Sequence, residues 1–167
     1  MRSDFTVRDL CLAAVMTALV FVATFVPKIP IPLGYAHLGD AVIFIIILTI
    51  PRKDALIAAC LGSALADLLG GFPLWIIPTI IIKFLMAESA LRIAGTKQSR
   101  SQIKIIAGFL IGSLIMAAGY TIFGAILFAS VTAALASTPG LLMEGLLNSI
   151  IAFIVLKFIP NLTFGRH

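Results

Sequence analysis

A chain of 167 residues that is 61% hydrophobic and only 11% charged, with mean hydropathy +1.17, is excluded from being a water-soluble domain. A fold of this size leaves too much of its surface in solvent to hide that apolar content, so its solvent is a bilayer. The net charge of +5 does not point to nucleic acid, because the basic residues fall in short segments between apolar runs.

In chain order, the first apolar run, Leu10 to Val26, is long and lacks a small-residue cleavage site. It reads as a retained first span over 8–26 rather than a cleaved signal peptide. "PKIPIPLG" then breaks the pattern, and a second span is expected over 39–51. That run is short for a crossing and needs little tilt, a thinned bilayer or completion by the preceding loop. "PRKD", "GGFP", "GTKQSRSQ" and "STPG" separate further spans over 54–71, 73–94, 104–130 and 138–159. Pro51 and Pro73 stand where a helix can begin without losing a needed N–H. Cys11 and Cys60 lie in apolar segments with no metal-ligand spacing and are expected to be buried small hydrophobes. The fold class is thus all-α, one six-helix membrane domain over 1–167.

Six spans put both termini on one side. Arg2, Arg8, Arg52, Lys53, Arg92, Lys97, Arg100, Lys104, Lys157 and Arg166 share that side, whereas Lys28 alone lies in an opposite loop and Lys83 lies inside a span. The positive-inside rule then makes both termini cytoplasmic. The outer loops are 27–38, about 70–73 and about 131–138. No sequence repeat of the kind found in inverted-repeat carriers is evident.

Ionisable groups inside a membrane are expensive and are functional candidates by default. Asp40 lies at the outer start of the second span, Asp67 about a turn below the outer end of the third, and Trp75 near the outer start of the fourth. Lys83 sits about 15 Å down the fourth helix. Tyr120 is near the middle of the fifth span; Glu144 and Asn148 lie on one face of the sixth at i,i+4. Tyr35 and His37 sit above them in the first outer loop. All fall in the outer half or near the midplane, and the inner halves are almost purely apolar except for Glu88. A relay or channel needs polar groups along the whole crossing. A pocket open to the outside and closed below fits better.

Structural roles compete with binding at several of these positions. Asp40 can serve a helix N-terminus, Asp67 and Lys83 can form an ion pair tying two spans together, and Trp75 can anchor an interface. Small residues carry a second signal: Ala14 and Ala18, in "AVMTA" at i,i+4, allow close approach of another helix. "GSALAD" superficially suggests a serine hydrolase but lacks the second glycine, and no span supplies a histidine base. No Walker, HExxH or redox CxxC motif is present, so neither an enzyme nor an ATPase is expected, and no metal or cofactor.

"GYAHLGDAVIFI", "GSALADLLGGFPLWIIPTIIIKFLM", "AAGYTIFGAIL" and "TPGLLMEGLLNSIIA" together resemble the S components of energy-coupling factor (ECF) vitamin transporters, in order and over nearly the whole chain. The nearest likeness is the riboflavin-type subfamily, which also contains hydroxymethylpyrimidine and pyridoxine binders. Glu144 departs from that subfamily's more usual glutamine. The resemblance implies six transmembrane helices in a bacterial cell membrane and a vitamin bound near the outer face. It implies assembly with a membrane coupling (T) component and two cytoplasmic ATPases that hydrolyse the ATP. It also implies T-component contact through the first helix, at Ala14 and Ala18, and a toppling transport step. Substrate contacts are then expected from Tyr35, His37, Asp40, Asp67, Trp75, Lys83, Tyr120, Glu144 and Asn148. The ligand is expected to be a small heteroaromatic vitamin of pyridoxine or hydroxymethylpyrimidine type, with riboflavin or pantothenate as further options. The rival classes are a stand-alone secondary carrier and a non-transporting membrane scaffold.

Overall fold

The computed structural model describes residues 6–159. Arg2 and Arg166, counted above toward the inner charge, lie outside the described residues. Six α-helices run in order: α1 (Val7–Phe25), α2 (Gly39–Thr49), α3 (Arg52–Gly70), α4 (Ile76–Ala94), α5 (Gln102–Leu127) and α6 (Val131–Lys157). A short 3-10 turn, Pro73–Trp75, leads into α4. Four segments are long and apolar enough to cross a membrane: Val7–Phe25, Pro73–Ala94, Gln102–Leu127 and Val131–Lys157. Large apolar side chains cover the outside, as on α4, where Ile77, Ile80, Ile81, Phe84 and Leu85 are all exposed. Such a surface is stable only against hydrocarbon.

The short second helix is the centre of the packing. At 11 residues α2 is only about 16 Å long, yet eight of its residues are buried and Ile43, Phe44, Ile46 and Ile47 are essentially inaccessible. It contacts α1, α3, α4 and α6, and Phe44 stacks on Phe109 of α5 at 4.5 Å. A helix apolar all round is a buried helix. Its outer end is extended by a feature that the breaker "PKIPIPLG" concealed. Strands β1 (Ile29–Ile31) and β2 (Gly34–Ala36) form an antiparallel hairpin, pairing Pro30 with Tyr35. Period-3.6 reasoning does not see a three-residue strand, and the prolines obscure it further.

Two glycines set close approaches. A Cβ on Gly62 of α3 would lie 2.7 Å from the Thr17 carbonyl oxygen of α1, so α1 and α3 pack nearly backbone to backbone. A Cβ on Gly39 would fall 2.0 Å from Thr24 Oγ1, so the start of α2 fits under the end of α1 only because residue 39 has none.

The last outer loop is shorter than the sequence suggests. Helix α6 begins at Val131, and "STPG" lies within it, with Pro139 in the helix interior. The expected loop over 131–138 shrinks to three residues, 128–130, with Ala129 at φ 47°. The helix survives its proline because Ser130 caps the start, accepting from the Ala133 N–H, and the Ser137 and Thr138 hydroxyls donate to the Ala133 and Ala134 carbonyls. Hydroxyl groups of this kind support backbone that proline loosens in membrane helices. Cys11 is a second correction: it is exposed rather than buried, because α1 packs by one narrow stripe that includes Ala13, Val20 and Thr24. Cys60 is partly buried, with its thiol 3.6 Å from the Ile80 carbonyl.

Candidate functional site: a cavity at the outer end

A small cavity of about 50 Å³ opens beside the hairpin. Its wall is built from the hairpin segment (Ile31, Leu33, Gly34, Tyr35, His37), α3 (Asp67), the 3-10 turn (Phe72, Trp75), α5 (Tyr120) and α6 (Ser137, Leu141, Glu144). Small-molecule sites usually offer roughly 300–1,000 Å³, so a vitamin-sized ligand enters this space only if part of the wall moves aside. Six of the nine expected site residues line this cavity; Asp40, Lys83 and Asn148 are not in its lining.

Those three hold the wall in place. Lys83 Nζ donates to Asp40 Oδ1, and both side chains are almost completely buried. The expected Asp67–Lys83 pair does not form, because α2 rather than α3 brings its carboxylate to this point of α4. The Lys83 ammonium also lies 5.2 Å from the Tyr120 ring centroid. Asn148 is fully buried: its Oδ1 accepts from the Ala41 N–H, and its Nδ2 donates to the carbonyls of His37 and Glu144. It thus ties α6 to the start of α2 and to the loop before it. A buried amide with its donors satisfied is a positioning group.

The polar groups on the cavity side form two clusters. In one, Asp67 accepts from Tyr35 Oη at 3.0 Å and from the Thr79 hydroxyl, and Thr79 Oγ1 lies 3.1 Å from Tyr120 Oη. Because the Thr79 hydrogen goes to Asp67, the Tyr120 hydroxyl donates to Thr79. Thr79 was not singled out from the sequence; a threonine is ordinary in a span, and only its place opposite Asp67 reveals it. Burial beside the Asp67 carboxylate pushes the Tyr35 phenol well above its usual range, so it stays a donor.

In the other cluster, the His37 N–H donates to Glu144 Oε1 at 3.2 Å, and His37 Nδ1 accepts from the Gly39 N–H at 3.1 Å. Nδ1 also lies 3.1 Å from Glu144 Oε1. Burial, then the nearby Lys83 charge, pushes the imidazole down to about 3, so His37 is neutral near pH 7. Its proton sits on Nε2, since Nδ1 is an acceptor. Trp75 is buried, packed at 5.4 Å on Tyr120 and 6.0 Å on Phe128, and so is not an interfacial anchor.

The inner end is closed differently. Glu88, the acidic exception that the sequence showed in the apolar half, accepts from Arg52 at 2.9 and 2.7 Å and from Arg92 at 2.6 Å. Arg100 donates to the Leu48 carbonyl at the end of α2 at 2.7 Å. These contacts join α2, α3, α4 and the α4–α5 connection below the apolar core. Ala14 and Ala18 stand apart from the cavity, exposed in a groove between α1 and α3 floored by Ala13 and Thr17 and flanked by Ile57, Leu61 and Leu65.

A family model described as "ECF-type riboflavin transporter, S component" matches residues 4–160. An uncharacterised protein of Pyrococcus woesei, from the gap 3′ region, is 31% identical over 111 residues, 65% of this chain and 73% of that protein. A solved structure of the S component of a bacterial ECF transporter superimposes with TM-score 0.73 over 92% of this chain and 96% of that one. Its sequence identity is 20%, so that likeness speaks to the fold.

Proposed function

Since the chain belongs to the ECF-type riboflavin transporter S-component family and is a multi-pass membrane protein, we propose that it is the vitamin-capturing subunit of an ATP-driven importer, taking a small heteroaromatic vitamin or precursor from outside. The observation that carries this reading is the asymmetry of the chain. Its hydrogen-bonding side chains converge on an outer cavity, and the inner half is a packed apolar core closed by the Glu88 arginine clasp. A binding pocket with a sealed floor captures a ligand but provides no path through, so another component must supply the motion.

In this reading all six helices cross or complete the bilayer with both termini cytoplasmic, and the hairpin and α2 together make one crossing. The clustering of Arg52, Lys53, Arg92, Lys97, Arg100 and Lys104 at the end opposite the cavity supports that orientation. The groove at Ala14 and Ala18 is the docking face for the T component, which works with two cytoplasmic ATPases; toppling of the S component delivers the ligand. Support for the groove is local: small residues expose the α1 backbone to close approach by another helix.

The test is mass spectrometry of small molecules that copurify with the detergent-solubilised protein, paired with titration calorimetry. A stoichiometric vitamin or vitamin precursor is the expected result. A protein that neither retains nor binds any such molecule, but still transports one alone in proteoliposomes along an ion gradient, is a secondary carrier and sinks the proposal.

A further inference from the structure

The cavity has more negative than positive partners. Lys83 is matched by Asp40 and lies behind the wall, so its charge is spent within the protein. Lys28, near the rim, rests on the faces of Phe25 and Tyr35 at 4.1 and 4.5 Å and forms no ion pair with a carboxylate among the described residues. Asp67 is held by two hydroxyls, not by a cation. Among the described residues Glu144 forms no ion pair with an ammonium or guanidinium; the Lys83 charge reaches it only from behind the wall, where it is paired with Asp40. Its Oε1 faces the His37 N–H and Nδ1, but Nδ1 already accepts from Gly39, so the neutral imidazole offers no proton there. Among the described residues its Oε2 has no hydrogen-bond partner, and it is not one of the sealed, unpartnered buried atoms, which leaves it available on the side chain that lines the cavity. The side chain as a whole is nine-tenths buried or more.

The other walls suit a positive charge. Tyr35, Phe72, Trp75 and Tyr120 surround the space with aromatic rings, whose faces attract cations. An anion entering here meets two carboxyl groups inside, with Lys83 already paired to Asp40 and the Lys28 ammonium outside the lining at the rim, and buried like charges repel strongly.

Building on the reading of this cavity as the ligand site of an S component, we propose that its ligand is a cationic or protonatable nitrogen heterocycle. A thiazolium, pyridinium or aminopyrimidinium ring fits, held between the aromatic faces with its charge against Glu144 Oε2. An aminopyrimidinium presents a ring N–H and an amino N–H side by side, a fork that matches one carboxylate. The same chemistry disfavours anionic pantothenate, and uncharged riboflavin offers Glu144 hydrogen-bond donors but no charge to match.

The test is titration calorimetry on the full-length protein in detergent with four probes: thiamine, a permanent cation; 4-amino-5-hydroxymethyl-2-methylpyrimidine, which is protonatable; uncharged riboflavin; and anionic pantothenate. At least one of the first two is expected to bind roughly ten-fold or more tighter than either of the others. Glu144→Gln keeps an acceptor for the His37 N–H and is expected to erase that preference. Riboflavin or pantothenate binding tightest overturns the charge assignment while leaving the S-component reading intact. Binding of none of the four overturns the charge assignment, while the S-component reading is decided by the molecule that copurifies. A Glu144→Gln variant with an unchanged order of affinities removes Glu144 from the site. If that variant does not fold, the order measured on the unaltered protein still decides the proposal.

Discussion

Removing Lys83 tests the account of what holds the cavity wall. In Lys83→Met the side-chain length is nearly kept, but Asp40 loses its only cation. Asp40 is fully buried, and its Oδ2 has no hydrogen bond even in the intact protein. Breaking a buried pair by removing one partner costs about 3–5 kcal/mol, because the remaining charge is left uncompensated. For a domain of this size that corresponds to a fall of roughly 6–20 °C in unfolding midpoint. The double variant Asp40→Asn with Lys83→Met removes both charges and is expected to recover most of the loss, since an apolar replacement of a buried pair is often neutral. The assay is thermal unfolding in detergent, followed by a fluorescent thiol probe or by size-exclusion chromatography after heating. A single variant as stable as the parent refutes the reasoning. So does a double variant no better than the single one, which would mean that lost packing rather than stranded charge sets the cost.

Other outcomes follow from the same geometry. Gly39→Ala places a methyl group 2.0 Å from Thr24 Oγ1 and should destabilise by about 1–3 kcal/mol; adding Thr24→Ala should relieve it, read by the same melts. Asn148→Leu deletes three buried hydrogen bonds to His37, Ala41 and Glu144, and should weaken ligand binding about ten-fold or more without removing a wall residue, measured by calorimetry. His37, held neutral down to about pH 3 when folded, takes up a proton near 6.5 when unfolded. The unfolded chain therefore binds more protons between those values, so the stability from this group is full above about pH 6.5 and is lost on acidification toward 3. His37→Asn should flatten that part of a stability–pH profile. Ala14→Trp with Ala18→Trp, which fills the groove between α1 and α3, should abolish copurification with the coupling component while leaving ligand affinity unchanged.

Sequence reasoning reached the helices because a membrane chain announces them by apolar length. It reached most of the cavity because polar residues in hydrocarbon are few and visible. It failed where partners are chosen by packing. Asp67 and Asp40 are equally plausible partners for Lys83 on paper; only the burial of α2 against α4 decides for Asp40. "STPG" reads as a loop because proline and glycine break soluble helices, whereas here hydroxyls at Ser137 and Thr138 support the backbone around Pro139. Thr79 carried no signal, since its importance comes wholly from facing Asp67 and Tyr120. Asn148 was visible as a polar group, but a sequence does not distinguish an amide that contacts ligand from one that holds the wall.

The segment 29–38 is both wall and lid, and its fastenings say how it can respond. Besides the Leu38 N–H bond to the Ala23 carbonyl of α1, four side-chain links attach it: the Leu33 N–H to Ser137, the Tyr35 hydroxyl to Asp67, the His37 N–H to Glu144 and the His37 carbonyl to Asn148. Ser137 and Asn148 are buried on α6 and also bond within it, so those two links belong to the scaffold. Asp67 and Glu144 face the cavity, so the other two links use the same carboxyls that a ligand would approach. A ligand that takes the free oxygen of Glu144 leaves the His37 N–H bond in place. One that must take Oε1 competes with the lid and loosens it. In the proposed site, a ligand that reaches Oε2 therefore keeps more of this segment's fastenings than one that takes Oε1.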